Sequence, residues 1–282
     1  MKKLLLGLLC IGSLTISAQK NFQGKAIYQS KTKMNMNFGN RQLSEEQKKR
    51  IEQRMKSFSE RTYVLNFNAN ESLYKEEERL GNPNGDRGGR FQSMMSSFSN
   101  GVQYKNVKEK ELLESKEFFG KNFLIEEKLD DLKWEMTGET KQIGQYTCLK
   151  ATVVKKVEDL DFRRFRPRRN RNNEEGKEET PEVKKEVLVT AWYTPQIPVS
   201  NGPGEYGGLP GLILELNAGK TTVLCSEIVL NPSEKQEIKK PTKGKKVTRE
   251  EYDKIAQKKM EEMREMFQRR RGGNRSRGRG RF

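Results

Sequence analysis

Alternating side chains near the start of the chain predict a β-strand. Between Lys25 and Phe38, small, aromatic and apolar residues mostly share one parity, and lysine, asparagine and glutamine mostly take the other. A period of two is typical of a strand with one face buried and one in water. Comparable runs recur at 63–75, 102–107, 111–118, 122–127, 132–137, 145–156, 186–194, 211–217 and 220–230. Their regular spacing predicts a sheet of antiparallel strands.

Two segments depart from this pattern and have the period of a helix. Ser44-Glu-Glu-Gln47 forms a capping box, which predicts a helix that runs to about Ser59. Thr248-Arg-Glu-Glu251 repeats the capping pattern. A single apolar stripe follows it, made of Tyr252, Ile255, Ala256, Met260, Met263, Met266 and Phe267. We therefore expect one helix inserted between strands and a C-terminal amphipathic helix over 248–268.

These elements together predict a mainly β fold, a curved antiparallel sheet or incomplete barrel with two added helices. A body of many alternating strands without a strong helical core needs a large sheet that curls on itself. We place this β domain at 19–231 and a polar linker at 232–247. The residues of 79–101 and 158–184 are too polar to pack, so both segments are predicted to be disordered.

The N-terminus has the pattern of a secretory signal peptide over residues 1–18. Lys2 and Lys3 precede an apolar run from Leu4 to Ile11, and Ala18 ends an acceptable cleavage site. No other apolar run approaches the length of a membrane span. The sequence therefore predicts export to the periplasm or the outer envelope after cleavage near Ala18.

The net charge of +17 is concentrated in a few segments. The two signal lysines, six arginines in 162–171 and seven arginines in 269–282 carry most of it, which leaves about +2 for the rest. The tail from Arg269 to Arg281 is predicted to be disordered and could attach to an anionic envelope surface. Export argues against an intracellular nucleic acid as its partner. The alternative is a solvated tail without a specific partner.

The chain contains no histidine, which removes several kinds of chemistry. Ser-His and Cys-His nucleophiles, His-ligated zinc and the usual neutral-pH general base are all excluded. The acidic residues at Glu126, Glu127, Asp130 and Asp131 show no metal-ligand spacing and are interpreted as solvated turn and edge residues. We predict no cofactor, no metal and no enzymatic activity. A carboxylate-dependent hydrolase remains a less favoured alternative, because it needs only two converging carboxylates.

Two cysteines remain after the signal peptide, Cys148 and Cys225. Both lie in strand-like segments, and an even pair in an oxidising compartment makes them a candidate disulfide. The alternative is two unpaired cysteines that act as small buried hydrophobes. Four aromatic residues, Trp134, Trp192, Tyr193 and Tyr206, are candidates for lining a binding concavity, with ordinary core and rim packing as the alternative.

A glycine- and proline-rich loop leads directly into the strand at 211–217. It begins with Gly202 and Pro203 and ends with the hexapeptide of Gly208, Leu209, Pro210, Gly211, Leu212 and Ile213. Such a loop predicts a turn that redirects the chain into a buried strand, and its backbone could alternatively form an anion cradle. With the segments 144–152 and 190–198, this hexapeptide resembles the GLPGLI family of exported proteins from Bacteroidetes-type bacteria.

The resemblance covers roughly residues 19–230 and implies an exported, mainly antiparallel β body. The same order of segments is more distantly similar to bacterial lipoprotein-carrier folds, which hold apolar ligands in a concave face; this likeness concerns the fold alone. We expect a non-enzymatic envelope protein that binds an apolar, lipid-like ligand or docks on an outer-membrane partner. The alternative is a protein-docking accessory or chaperone of an outer-membrane transporter.

Overall fold

The computed structural model describes residues 22–33, 44–77, 101–157, 185–234 and 237–276. Within them, twelve strands form one sheet in the order β12-β6-β5-β4-β3-β2-β1-β11-β10-β9-β8-β7. The strands are β1 (Gln23–Thr32), β2 (Glu60–Asn68), β3 (Glu71–Glu76), β4 (Val102–Asn106), β5 (Glu111–Phe118), β6 (Lys121–Lys128), β7 (Glu135–Ile143), β8 (Tyr146–Val157), β9 (Lys185–Thr194), β10 (Leu212–Ala218), β11 (Thr221–Leu230) and β12 (Lys245–Thr248). The sheet does not close into a barrel, and the predicted mainly β class is confirmed.

The chain divides into two compact units. One contains residues 1–153 and 188–246, and the other contains 154–187 and 247–282. The first unit holds most of the sheet. Its centre is β1, which pairs antiparallel with β2 on one side and with β11 on the other. The N-terminal strand therefore joins the meander β2–β6 to the C-terminal strands of the sheet.

The main core of the first unit is filled by the protein's own side chains. Aromatic and aliphatic residues from β1, β2 and β9–β11 pack together with residues from the loop before β10. The largest fully buried members are Tyr28, Leu65, Phe67, Ile197, Leu209, Leu212, Ile213 and Leu214. Burial of each such side chain stabilises the fold by roughly 1.5–3 kcal/mol before the loss of chain entropy is counted. This cluster is the dominant stabilising element of the sheet.

A second, smaller cluster lies on β4–β6 and includes Tyr104, Leu113 and Leu124. Ile238 packs against it from the segment predicted to be a linker. In the same segment, Lys240 lies 2.7 Å from a carboxylate oxygen of Glu111. The segment thus packs on the sheet, and its last residues, from Lys245, begin strand β12 beside β6.

Both predicted capping boxes are present. At helix α1 (Glu45–Ser59), the Ser44 hydroxyl accepts from the Gln47 amide at 3.2 Å, and the Ser44 amide donates to the Gln47 side chain at 3.1 Å. Helix α2 (Arg249–Ser276) has the same arrangement between Thr248 and Glu251. It extends eight residues beyond the predicted end at 268. Neither described helix is long and apolar enough to cross a membrane.

Strand β7 differs from the sequence prediction. The pattern predicts a strand at 132–137 followed by a connection over 138–144, whereas β7 runs from Glu135 to Ile143. Its pairing with β8 shifts register between Met136 and Thr140, where Gly138 has a φ of 76°. Glycine adopts that conformation without strain, so the strand bulges and continues.

Several predictions fall on residues outside the described ranges. These are the signal peptide at 1–18, most of the loop at 79–101, the insert at 158–184 and the end of the arginine-rich tail. They stay predictions from the sequence.

Candidate functional site at the glycine-proline loop

The loop of residues 201–211, called here the signature loop, folds back on itself before β10. Asn201 and Gly207 form an isolated antiparallel bridge, and the Tyr206 amide donates to the Pro203 carbonyl at 3.2 Å. The Ile213 amide donates to the Asn201 carbonyl at 3.0 Å, which ties the start of the loop to the start of β10. Gly204 and Gly208 have φ values of 62° and 84°, which glycine adopts without strain. The loop is therefore a closed, hydrogen-bonded turn.

Close backbone approaches explain two further glycines of the motif. A Cβ atom on Gly211 would lie 2.2 Å from the Thr194 carbonyl oxygen, and one on Gly202 would lie 2.7 Å from the Ile213 side chain. Leu209, Leu212 and Ile213 are buried in the main core. The apolar residues of the hexapeptide thus anchor the chain in the core, and its glycines allow neighbouring segments to approach the backbone closely.

Lys105 of β4 enters the signature loop and is the feature that sequence reasoning missed. Its ammonium nitrogen donates to the carbonyl oxygens of Gly202 at 3.2 Å and Gly204 at 3.1 Å, and also to that of Tyr206. An ammonium group has three donors, so these three carbonyls match its full hydrogen-bonding capacity. The side chain is only 1% exposed. Lys105 therefore acts as an anchor between β4 and the loop.

Burial lowers the pKa of Lys105 to about 7, while the charge of Glu205 acts in the opposite direction. The three carbonyl acceptors also favour the charged form, because they stabilise the ammonium. A lysine near neutrality could serve as a base or nucleophile. Its complete burial, however, keeps it from any substrate in solution.

Three more polar residues surround Lys105 on the loop side of the sheet. Ser72 stands opposite Lys105 in the β3–β4 register, and its hydroxyl donates to the Asn201 side-chain oxygen at 2.9 Å. Gln103 points toward the loop, because its Oε1 lies 3.3 Å from the place where a Gly204 Cβ would stand. Within the described part of the chain, Gln103 Oε1 and Asn201 Nδ2 are buried without a hydrogen-bond partner. We call Ser72, Gln103, Lys105 and Asn201 the loop-anchor cluster.

All four candidate aromatic residues lie in or against the main core: Tyr193 is a buried member, and Trp134, Trp192 and Tyr206 pack against it as half-buried side chains. Trp134 is half-buried, and its indole nitrogen donates to the Gly207 carbonyl at 2.8 Å, so it packs on the signature loop that contains Tyr206. Trp192 and Tyr193 lie on β9. Lys141 covers Trp192 with its ammonium 4.6 Å from the ring centroid, and the Tyr193 hydroxyl donates to the Met136 sulfur at 3.4 Å.

The candidate disulfide between Cys148 and Cys225 is not formed in the structure. Both cysteines are buried free thiols. They lie on β8 and β11, and β9 and β10 separate these strands in the sheet. The two strands are therefore not neighbours, although both cysteines are members of the main core, and the thiols take the arrangement given above as the alternative, two unpaired buried cysteines.

We predict that both thiols are unreactive in the folded protein. Burial raises the pKa of Cys148 to about 11 and that of Cys225 to about 12, so the reactive thiolate is scarce at about pH 8. The pKa of each thiol is higher in the folded chain than in the unfolded chain. The contribution of the buried, neutral thiols to stability is therefore complete below about pH 9 and is lost as the pH rises to about 12.

The protein for this measurement is a chain of residues 19–282 produced in a reducing cytosol. Its thiols are titrated with a thiol reagent at about pH 8, before and after unfolding. We expect slow reaction when folded and two reactive thiols after unfolding in denaturant. Rapid reaction of the folded protein would contradict the burial of the thiols. Absence of reaction after unfolding would mean that the two cysteines are joined in a disulfide.

Fold and loop together define a class: a mainly β protein whose unclosed sheet carries a lysine-anchored glycine-proline loop. Residues 134–215 match a family model described as "Protein of unknown function (Porph_ging)". The match begins at Trp134 and includes β7–β9, the signature loop and the first residues of β10. The resemblance to the GLPGLI family stays a prediction. No curated protein matches the chain.

Two solved structures are similar to the chain at low sequence identity. They are described as "Structure of PNGF-II in C2 space group", with a TM-score of 0.48, and "Structure of PNGF-II in P21 space group", with a TM-score of 0.46. Identity is 14% in both, and each match covers 83% of this chain. The chain spans about a third of those proteins, 32% and 33% of their lengths.

Proposed function

We propose that this protein is an exported, non-enzymatic docking protein of the cell envelope that binds an outer-membrane protein through its sheet. The observation that carries the proposal is the contrast between the two sides of the strands. One side is filled by the protein's own buried side chains, whereas exposed apolar side chains remain on the other.

The packed core favours docking over the carrier role. A site for a drug-sized or lipid-like ligand is a concave cavity of roughly 300–1,000 Å³ lined by apolar side chains. Here the loop residues Ile197 and Leu209 insert among residues of β1, β2 and β10, and all of them are almost fully buried. This filling of the core by the protein's own side chains supports docking over the carrier role.

Three apolar residues form a patch that we call the β11 patch: Leu224 and Val229 are exposed, and Ile27 is half-buried. In the β1–β11 register, Ile27 stands opposite Glu227, while Leu224 and Val229 stand opposite Gln29 and Lys25, so these residues share one face. Leu224 is 40% exposed and Val229 is 38% exposed. Apolar residues with a polar rim are typical of protein–protein contacts.

The acidic residues considered for the hydrolase alternative form ion pairs at the surface. Asp131 lies 2.6 Å from the Lys110 ammonium, and Glu126 lies 2.8 Å from that of Lys246. The hydrogen bond from Lys110 holds the pKa of Asp131 below its usual value. A general acid of a glycosidase needs a raised pKa, so this carboxylate is tuned in the wrong direction.

Site-specific photo-crosslinking in an envelope tests the docking proposal. With the reactive side chain at Leu224 or Val229 we expect a discrete adduct with an envelope protein, and the same group at Lys121, an exposed position on β6, serves as the matched control. In an otherwise native chain carrying Leu224→Glu, the adduct at Val229 should fall at least about tenfold, because a charge then opposes an apolar contact. Equal adducts at all three positions would contradict a specific surface.

Native mass spectrometry of detergent-free periplasmic protein separates docking from the carrier role. We expect a mass without added lipid, beginning at Gln19 if the predicted cleavage is used. A lipid of defined mass that survives purification would overturn the docking proposal in favour of a carrier.

A further inference from the structure

We propose that Lys105 and Asn201 become joined by an isopeptide bond between the lysine Nζ and the asparagine Cγ, which ties β4 covalently to the signature loop. This modification goes beyond the proposed docking function and does not depend on it. It rests on the placement of a buried amine and a buried carboxamide within the loop-anchor cluster.

The amine and the carboxamide share one buried place. The Lys105 nitrogen bonds to the carbonyl of Gly202, the residue that directly follows Asn201. It also lies 3.5 Å from the Cβ position of Gly207, the residue bridged to Asn201. Asn201 has no exposed surface and Lys105 has 1%. Water is thus excluded from the groups that would react.

Ser72 links the two partners from the other side. It stands opposite Lys105 in the β3–β4 register and donates its hydroxyl hydrogen to Asn201 Oδ1 at 2.9 Å. A donor on that oxygen polarises the carboxamide and stabilises the negative charge that forms there when a nucleophile attacks Cγ. Asn201 Nδ2, the leaving nitrogen, has no hydrogen-bond partner among the described residues.

The reaction is a balanced acyl transfer that needs no oxidant or reductant. The neutral Lys105 amine attacks Asn201 Cγ, the Nζ–Cγ bond forms, and the Cγ–Nδ2 bond breaks. One proton passes from Nζ to Nδ2, which leaves as ammonia. Attack requires the amine to leave the ring of loop carbonyls and approach Cγ to about 3 Å.

Two features of the site assist the proton movements. Burial lowers the pKa of Lys105, which supplies the neutral amine near neutral pH. The carboxylate of Glu205 in the signature loop, whose charge also acts on Lys105, is the group that we assign to carry the proton from the amine to the leaving nitrogen.

The decisive measurement is the covalent state of the folded wild-type chain. We expect a peptide map of fully denatured protein to contain one joined species with residues 105 and 201, about 17 Da lighter than its two peptides, the mass of one ammonia. Cyclisation of an N-terminal Gln19 loses the same mass, so the joined peptide rather than the intact mass is the readout. A folded wild-type chain that yields separate, unmodified peptides overturns the proposal.

Variants separate the roles of the cluster. Lys105→Arg and Asn201→Ala should abolish the joined peptide, whereas Asn217→Ala on β10 should retain it as the matched control. Ser72→Ala should slow its formation at least about tenfold, because Ser72 only positions and polarises the carboxamide. Formation at the wild-type rate in Ser72→Ala would overturn the role of Ser72, and a joined peptide in Asn201→Ala would overturn the assigned partner.

Discussion

Replacing Lys105 by methionine is expected to lower the free energy of unfolding by about 3 kcal/mol or more. Methionine has a similar length but no donor, so the carbonyl oxygens of Gly202, Gly204 and Tyr206 lose their common partner in a buried place. Each buried polar group left without a partner costs about 1–3 kcal/mol.

A partial offset comes from the lysine itself. Its burial lowers its own pKa to about 7, which means that keeping the charge inside the protein carries a cost that methionine does not have. Replacing both sides of such an interaction by apolar groups can be nearly neutral, but here only one side changes and the carbonyls stay. We therefore expect the loss to exceed the gain.

Urea unfolding of the wild type, Lys105→Met and Lys121→Met measures this effect. Lys121 is an exposed lysine on β6, so its replacement should change stability by less than about 0.5 kcal/mol. If Lys105→Met matched the wild type within the same margin, the anchor would not contribute to the fold. If the isopeptide bond forms, its absence from the variant would add to the loss.

Gly211→Ala is expected to have the second large effect, a loss of about 3 kcal/mol. The added Cβ would lie 2.2 Å from the Thr194 carbonyl oxygen and 2.9 Å from the Pro195 nitrogen. Both are backbone atoms at the end of β9, and Thr194 pairs in register with Leu212 at the start of β10. Neither backbone segment can move alone because the two strands are paired. The clash can therefore be relieved only if β9 and β10 separate where the motif begins the strand.

Two neighbours in the same hexapeptide serve as controls. In Gly208→Ala the added Cβ has space around it, and its nearest neighbour is the Trp134 side chain at 3.9 Å. The φ of 84° at this position nevertheless strains an alanine by about 1–2 kcal/mol. Pro210 is exposed, so Pro210→Ala should cost less than about 1 kcal/mol, mostly through the unfolded chain. Thermal and urea unfolding should rank the losses Gly211, Gly208, Pro210, and a different order would show that close approach is not what selects glycine at 211.

Local patterns predicted much of the fold because their causes are local. Alternation follows from the pleat of a strand, so the positions of β1, β2 and β9–β11 could be read from residue types. Capping boxes involve residues three apart, and those at Ser44 and Thr248 both formed. The same reasoning failed at Gly138, where it predicted the end of a strand. A glycine inside a strand is found at a bulge as readily as at a turn.

The loop-anchor cluster could not be predicted, since its contacts join residues about a hundred positions apart. By parity, Lys105 belongs to the face of β4 opposite Tyr104, and a lysine there is ordinarily expected in water. In the structure both faces of β4 are covered, one by the second apolar cluster and the other by the signature loop. Only the register that sets β4 beside β3, and the loop against both, buries the lysine.

The sequence by itself determined the strand-rich class, the helix starts, the turn chemistry of the hexapeptide and the exclusion of histidine chemistry, because each follows from residue types and short spacings. The tertiary structure decided which strands are neighbours. It thereby left Cys148 and Cys225 on separated strands as free thiols, placed Lys105 among the loop carbonyls and set Ser72 against Asn201. Those outcomes depend on burial and register between distant segments, which no local pattern encodes.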